Sequence, residues 1–201
     1  SDWHMPEMTG IEFLQALNAQ GMEIPFGFVT SESTAEMVEA ATDAGALFLV
    51  NDRVDIALLA DADGVHVGQQ DLPPEEIARL APDLLIGISC NSEEQALELG
   101  RQEQAGTSAF SYFNIGPLFP TRTKEGLAEF IGPEAIGRFS SSLSAPFTVM
   151  GGIKLEHVSQ LVALGVRRIA LVTALSQAPD IAVETACWVK AIAMARREHH
   201  E

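Results

Sequence analysis

Asp63-Gly64-Val65-His66-Val67-Gly68-Gln69-Gln70-Asp71-Leu72 runs into Pro73-Pro74-Glu75-Glu76, and Leu84-Leu85-Ile86-Gly87-Ile88 follows soon after. Val65-His66-Val67 and 84–88 are short apolar runs without clean polar alternation, the pattern of strands covered on both faces. Gly68 to Asp71 is a polar loop. Pro74 suits a first helical turn, where the missing N–H costs no hydrogen bond. Strand, loop, helix and strand make one parallel crossover.

The same rhythm extends in both directions. Upstream, Phe26-Gly27-Phe28-Val29 precedes a helical stretch from Ser33 to Ala44, and Leu47-Phe48-Leu49-Val50 follows at once. Downstream, Ser92 with Glu93, Glu94 and Gln95 reads as an N-cap with an acidic first turn. Further strands are expected at 109–115, 147–150 and 169–172, with helices over 134–142, 155–164 and about 180–196. That makes seven strands. The helical stretch Gly10 to Gln20 has no strand ahead of it. One more strand upstream of Ser1 would complete eight, the number that closes a (β/α)8 barrel and leaves no sheet edge. The expectation is an α/β protein, a (β/α)8 barrel over residues 1–201 as a single domain, its first strand missing from or upstream of this sequence. A doubly wound open sheet is the alternative.

With 28 acidic against 12 basic residues the chain carries a formal charge of −16. That field repels nucleic acid but leaves room for small phosphorylated substrates, because a few local cations, backbone N–H groups or a divalent metal reverse the local potential. There is no apolar run of about 18 residues, so no membrane partner is expected. Two cysteines, Cys90 and Cys187, and a start without a basic-then-apolar signal pattern point to the cytoplasm.

Polar motifs stand at or just after the ends of the expected strands: Asn51-Asp52-Arg53, Gly68 to Asp71, Ser89, Gly116 to Lys124, Gly151-Gly152-Ile153 and Val172-Thr173-Ala174. In a parallel barrel those loops share one face, where chemistry occurs. Asp52 and Asp71 are hard oxygen donors of the kind Mg2+ takes, although Asp52 also reads as a solvated loop acid and Asp71 as a helix cap. Asn51 has an amide that can donate to a phosphate oxygen, or simply serves a turn. His66 either lines a phosphate pocket or packs within its strand, and Gln69 belongs to the same loop or to plain surface. Ser89 closes a strand. Thr121, Thr123 and Lys124 combine hydroxyls with a point charge suited to wrapping phosphate. Gly151 and Gly152, with Thr173 one strand on, suit a backbone phosphate cradle or a turn that only closes the sheet.

Taken in order, these motifs resemble thiamine phosphate synthase over residues 47–175. The resemblance implies a transferase that joins hydroxymethylpyrimidine diphosphate to a thiazole phosphate and releases diphosphate. It implies Mg2+ held by Asp52 and Asp71, catalytic contacts from Asn51, Ser89, Thr121, Thr123 and Lys124, and substrate phosphate held by His66, Gln69, Gly151, Gly152 and Thr173. Cys90 and Asn91 stand where the family commonly has Thr and His, and the related thiazole tautomerases use a histidine near that point, which disfavours a tautomerase. Cys90 has neither an adjacent base nor a CxxC partner to make it a nucleophile.

Residues 1–46 differ. Asp2-Trp3-His4-Met5-Pro6 and Ile24 to Glu32 resemble a response-regulator receiver domain, which implies a chimera in which a receiver-like βα fragment replaces the first two βα units. The synthase family carries a Gln-x-Arg-x-Lys set on its second strand. The matching stretch here, Phe26 to Thr30, has no cation. Weak turnover is therefore expected, with a non-catalytic recombined or engineered barrel as the alternative. An unclosed sheet edge would favour pairing with a second copy.

Overall fold

The computed structural model describes residues 27–30, 34–120 and 130–199. The expected helix over 10–20 and the receiver-like motif around Asp2 lie outside them. The elements are β1 Gly27–Thr30, α1 Ala35–Asp43, β2 Leu47–Asn51, α2 Val54–Leu59, β3 Gly64–Val67, α3 Pro74–Leu80, β4 Leu85–Cys90 and α4 Glu93–Ala105. They continue with β5 Tyr112–Ile115, α5 Ala135–Ser140, β6 Phe147–Val149, a 3-10 turn Leu155–His157, α6 Val158–Ala163, α7 Thr173–Ser176 and α8 Ile181–His199. The six strands form a parallel sheet in sequence order, β1-β2-β3-β4-β5-β6. The chain divides into two compact units: Ser1–Ile88 with Ala109–Ser111 and Pro179–Ala182, and Ser89–Ser108 with Tyr112–Ala178 and Val183–Glu201.

In the first unit the register follows from which residues can face the helices. Thr30 pairs with Val50, Val50 with Val65, and Val65 with Ile86. Phe48, Val50, Val65, Val67 and Ile86 form one core with Met37 and Ala41 of α1, Val54 and Ala57 of α2, and Ile77 of α3. Side chains alternate along a strand. Leu49, Asn51 and His66 therefore point to the opposite face, and Asn51 lies beside His66. Thr34 caps α1 by accepting from Met37 N–H at 3.3 Å. The close approach of β3 to β4 needs Gly64, because a Cβ there would stand 2.3 Å from the Leu85 carbonyl oxygen.

In the second unit Ser92 accepts from Gln95 N–H at 3.3 Å and opens α4, as its sequence predicts. Gly106, at φ 68°, ends that helix in the left-handed conformation that glycine adopts without strain. β5 pairs with β6 from Phe113–Phe147 to Ile115–Val149. Between those apolar pairs, Thr148 Oγ1 donates to Asn114 Oδ1 at 2.7 Å.

Six of the seven expected strands are present among the described residues. The seventh, expected at 169–172, is reduced to one bridge between Val149 and Ile169. Val149 N–H donates to Arg168 O and Ala170 N–H to Val149 O. By Val172, at φ −126° and ψ −87°, the chain has left extended geometry and enters α7. Closure of eight strands is thus not seen among the described residues. The helix expected over 155–164 is split, its first turn being 3-10.

Gly64→Ala is expected to destabilise the fold by about 1–3 kcal/mol through overpacking against the β4 backbone. Urea denaturation checks this, and an unchanged midpoint would contradict the close strand approach.

Candidate active site

The polar residues of the first unit gather where β2 and β3 end. Asn51 is the last residue of β2. Asp52 follows in the left-handed region at φ 63°, uncommon for a residue other than glycine. Two backbone bonds hold it there: Asp52 N–H donates to His66 O and Arg53 N–H to Asn51 O, each at 2.8 Å. Asn51 Nδ2 donates to Asp52 Oδ2 at 2.7 Å, so the amide and the acid form one group. Arg53 is turned away from it, its Nε bonded to Asp55 Oδ1 at 2.8 Å.

Across the β2–β3 pair, His66 is buried beside Asn51. Burial lowers its imidazole pKa from the ordinary 6.5 to about 4, against the opposing pull of the Asp71 carboxylate. His66 is therefore neutral near pH 7, and its buried place fits the packing reading as well as a pocket wall. Asp71 is exposed, and its Oδ2 accepts from Gly68 N–H at 2.7 Å, which folds the Gly68–Asp71 loop back on itself. The acid shapes its own loop and does not cap α3, where Pro73 holds the cap position. Gln69 is exposed on that loop.

The second unit carries a second polar group. Ser89 is half-buried between buried Ile88 and Cys90. Burial pushes the Cys90 thiol up to about 12, so it is no nucleophile at neutral pH. Asn91 has a role that sequence reasoning missed. Its Nδ2 donates to Gly116 O at 2.8 Å and its N–H to Gln95 Oε1 at 2.7 Å, which ties the end of β4 to the segment leaving β5.

That segment, Gly116 to Pro120, is fixed along its length. Leu118 N–H donates to Met150 O and Phe119 N–H to Gly151 O, both at 3.0 Å. Ile131 N–H donates to Pro117 O at 3.0 Å, so the chain returns to where it left. Thr121, Thr123 and Lys124 fall between those points and lie outside the described residues. Gly151 and Gly152 have φ of 94° and 62°. A Cβ on Gly151 would stand 2.5 Å from Pro117 Cβ, and one on Gly152 2.4 Å from Pro120 O. These glycines are thus required by the 117–120 backbone itself, a demand invisible in their spacing. Thr173 is the half-buried first residue of α7.

No cluster of three or more metal-ligating side chains occurs among the described residues. Asp52 bonds to the His66 carbonyl through its backbone N–H, and the Asp71 carboxylate acts on the imidazole through its field. Two hard oxygen donors suit Mg2+, which keeps several waters and completes its shell with substrate phosphate.

Polar groups at the carboxyl ends of parallel strands, with paired glycines after one of them, are the arrangement by which parallel α/β folds commonly hold phosphorylated small molecules. A thiamine monophosphate synthase family profile matches residues 30–175. The chain belongs to that family.

The thiamine-phosphate synthase of Pelotomaculum thermopropionicum is 38% identical over 151 residues, covering 75% of this chain and 66% of its own length. That of Pyrococcus horikoshii is 35% identical over 183 residues, covering 88% of the chain and 84% of its own length. The match spans about two-thirds of the first curated relatives, 66% and 69% of their lengths. A solved thiamine phosphate pyrophosphorylase from Pyrococcus furiosus superposes with a TM-score of 0.78 at 29% identity, over 96% of this chain and 93% of that one. An Amycolatopsis orientalis BexX/CysO complex, TM-score 0.63 at 18% identity over 98% and 88%, shares the fold alone.

These likenesses support thiamine phosphate synthase function. They also move the boundary drawn at residue 47. The family profile begins at Thr30, and an alignment covering 88% of the chain must take in part of residues 1–46. The reading of that segment as a receiver-derived insertion has no support from them.

Because the unfolded chain takes a proton on His66 below about pH 6.5 that the folded state refuses until about 4, this residue's contribution to stability is present above that window and lost as pH falls through it. His66→Gln should flatten the loss of thermal midpoint between those limits. Parallel curves for the two proteins would show that His66 is not the buried neutral group described.

Proposed function

We propose that this chain is a thiamine phosphate synthase with a weakened grip on diphosphate. It works in the cytoplasm on small phosphorylated substrates, residues 1–201 belonging to a single barrel-type domain whose first strand lies upstream of them. The observation that carries the reading is the joined Asn51–Asp52 pair lying beside His66 and the Asp71 loop at adjacent strand ends. The substrates are hydroxymethylpyrimidine diphosphate and thiazole phosphate, and the second product is diphosphate.

The reaction breaks the bond between the pyrimidine methylene carbon and a diphosphate oxygen, and the electron pair leaves with diphosphate. The thiazole nitrogen then gives its lone pair to the methylene carbon. No protein nucleophile is needed, in keeping with a Cys90 thiol held protonated. Asp52 and Asp71 would hold Mg2+, which when bound offsets the charge of the leaving diphosphate. Asn51, Ser89, Thr121, Thr123 and Lys124 orient the diphosphate and neutralise its oxygens. His66 and Gln69 contribute to binding substrate phosphate. Gly151, Gly152 and Thr173 hold the thiazole phosphate.

The weakness lies in β1. Its register places Val29 beside Leu49, on the face that Asn51 shares, while Thr30 pairs with Val50 on the face that meets the helices. Val29 is 44% exposed. A cation able to meet diphosphate must therefore stand at 29 and not at 30. One charge-assisted contact contributes about 1.5–3 kcal/mol.

Val29→Arg should raise kcat/KM about tenfold and tighten Mg2+-dependent diphosphate binding. Thr30→Lys, which buries an ammonium among the helix-facing residues, should instead lower stability. Steady-state assay and calorimetry separate these effects. An unchanged rate in Val29→Arg would sink the proposed weakness. No diphosphate binding at millimolar ligand would favour the second reading, a non-catalytic barrel.

A further inference from the structure

We propose that His157 is a positioning residue that couples the Gly151-Gly152 turn to the segment entering the Thr-Lys loop, through its stack on Phe119. The proposal rests on the functional reading above, in which the turn and residues 121–124 hold the phosphates of the two substrates. His157 closes the 3-10 turn that follows the glycine pair. Its imidazole lies face to face with the Phe119 ring, centroids 3.8 Å apart and planes 14° apart.

The imidazole is fixed in its own turn. Nδ1 accepts from Lys154 N–H at 3.1 Å, so in the neutral ring the proton sits on Nε2. The backbone repeats the tie, His157 N–H donating to Lys154 O at 2.9 Å. The ring is also only partly covered, its side chain 20% exposed. Ile153, Val158 and Leu161, near it in the chain, are the buried residues of this stretch, while the His157 ring is not fully covered.

Phe119 is held from the other side by backbone. Its N–H donates to Gly151 O, and its own carbonyl would stand 2.6 Å from any Cβ on Gly152. Phe119 thus takes a peptide contact from the glycine turn and a ring contact from the residue that ends the 3-10 turn after it. Pro120 follows, and then Thr121. A displacement of the turn must carry Phe119 with it, and a loss of the stack leaves only the backbone contacts to transmit that motion. A rigid support of this kind keeps Phe119 and the glycine turn in mutual register, which a reaction driven by positioning requires.

The test uses the whole chain and three variants: His157→Ala, His157→Phe and His157→Asn. Binding of inorganic diphosphate with Mg2+ is measured by calorimetry, and kcat and the KM for thiazole phosphate by steady-state assay. His157→Ala should weaken diphosphate binding and raise that KM by about three- to tenfold, the span that one aromatic contact covers. His157→Phe keeps the stack and should restore most of both. His157→Asn keeps an acceptor for Lys154 N–H but not the ring, and should behave like alanine. A purely structural histidine would show no such aromatic rescue.

If His157→Phe is as impaired as His157→Ala, or if His157→Ala matches the unsubstituted chain, the coupling is overturned. Should His157→Ala fail to fold, Phe119→Leu and Phe119→Tyr decide the same point: leucine must weaken binding and tyrosine must restore it. A chain that binds diphosphate but makes no thiamine phosphate defeats the functional reading alone, and the binding arm still judges the stack. A chain that binds no diphosphate overturns both.

Discussion

Phe48, Val50, Val65, Val67 and Ile86 all turn toward helices, and that one-sided demand governs the first unit. Burial of such side chains is the main stabilising term, about 1.5–3 kcal/mol for each. A slip of one residue in register would move all of them to the other face. With that face committed, Asn51 and His66 are left on the opposite one, side by side at the strand ends. The polar group is therefore a by-product of a core that could not accept it. Thr30 is the exception, a buried polar residue on the helix-facing side, and the solvent-reachable Val29 stands next to it on the other face.

The fold was legible to the extent that its signals were local. Runs such as Val65-His66-Val67 and Leu84 to Ile88, the Ser92 cap and Pro74 placed strands and helices within a few residues, because apolar runs and caps act over one turn. Ile169 to Val172 misled for the same reason. Its composition is that of a strand, but only Ile169 pairs with Val149 before Val172 turns the chain into a helix. No local residue announces that change.

The candidate site was legible in its members but not in their relations. Asp71 reads as a helix cap from its place before Leu72-Pro73-Pro74, yet its carboxylate bonds back to Gly68. Gly151 and Gly152 read as a phosphate cradle from position alone, yet a segment more than thirty residues away already forbids any side chain there. Asn91 stood out only as a departure from the family pattern, and its bond to Gly116 supplies the physical content of that departure. His157 had no signal, since a histidine inside an expected amphipathic helix looks like surface. Apart from Asp71, whose partner is three residues back, each of these depends on a partner distant in the chain, which is information that a single sequence holds only implicitly.

The bond from Ile131 N–H to Pro117 O has a bearing on how this family can drift in length. It joins two points of the chain fourteen positions apart, so residues between them can be gained or lost without moving either anchor. The entropy of closing such a stretch changes only slowly with its length. Chain length between the two anchors is therefore an adjustable trait, whereas a side chain at Gly151 or Gly152 is not tolerated by the backbone it faces.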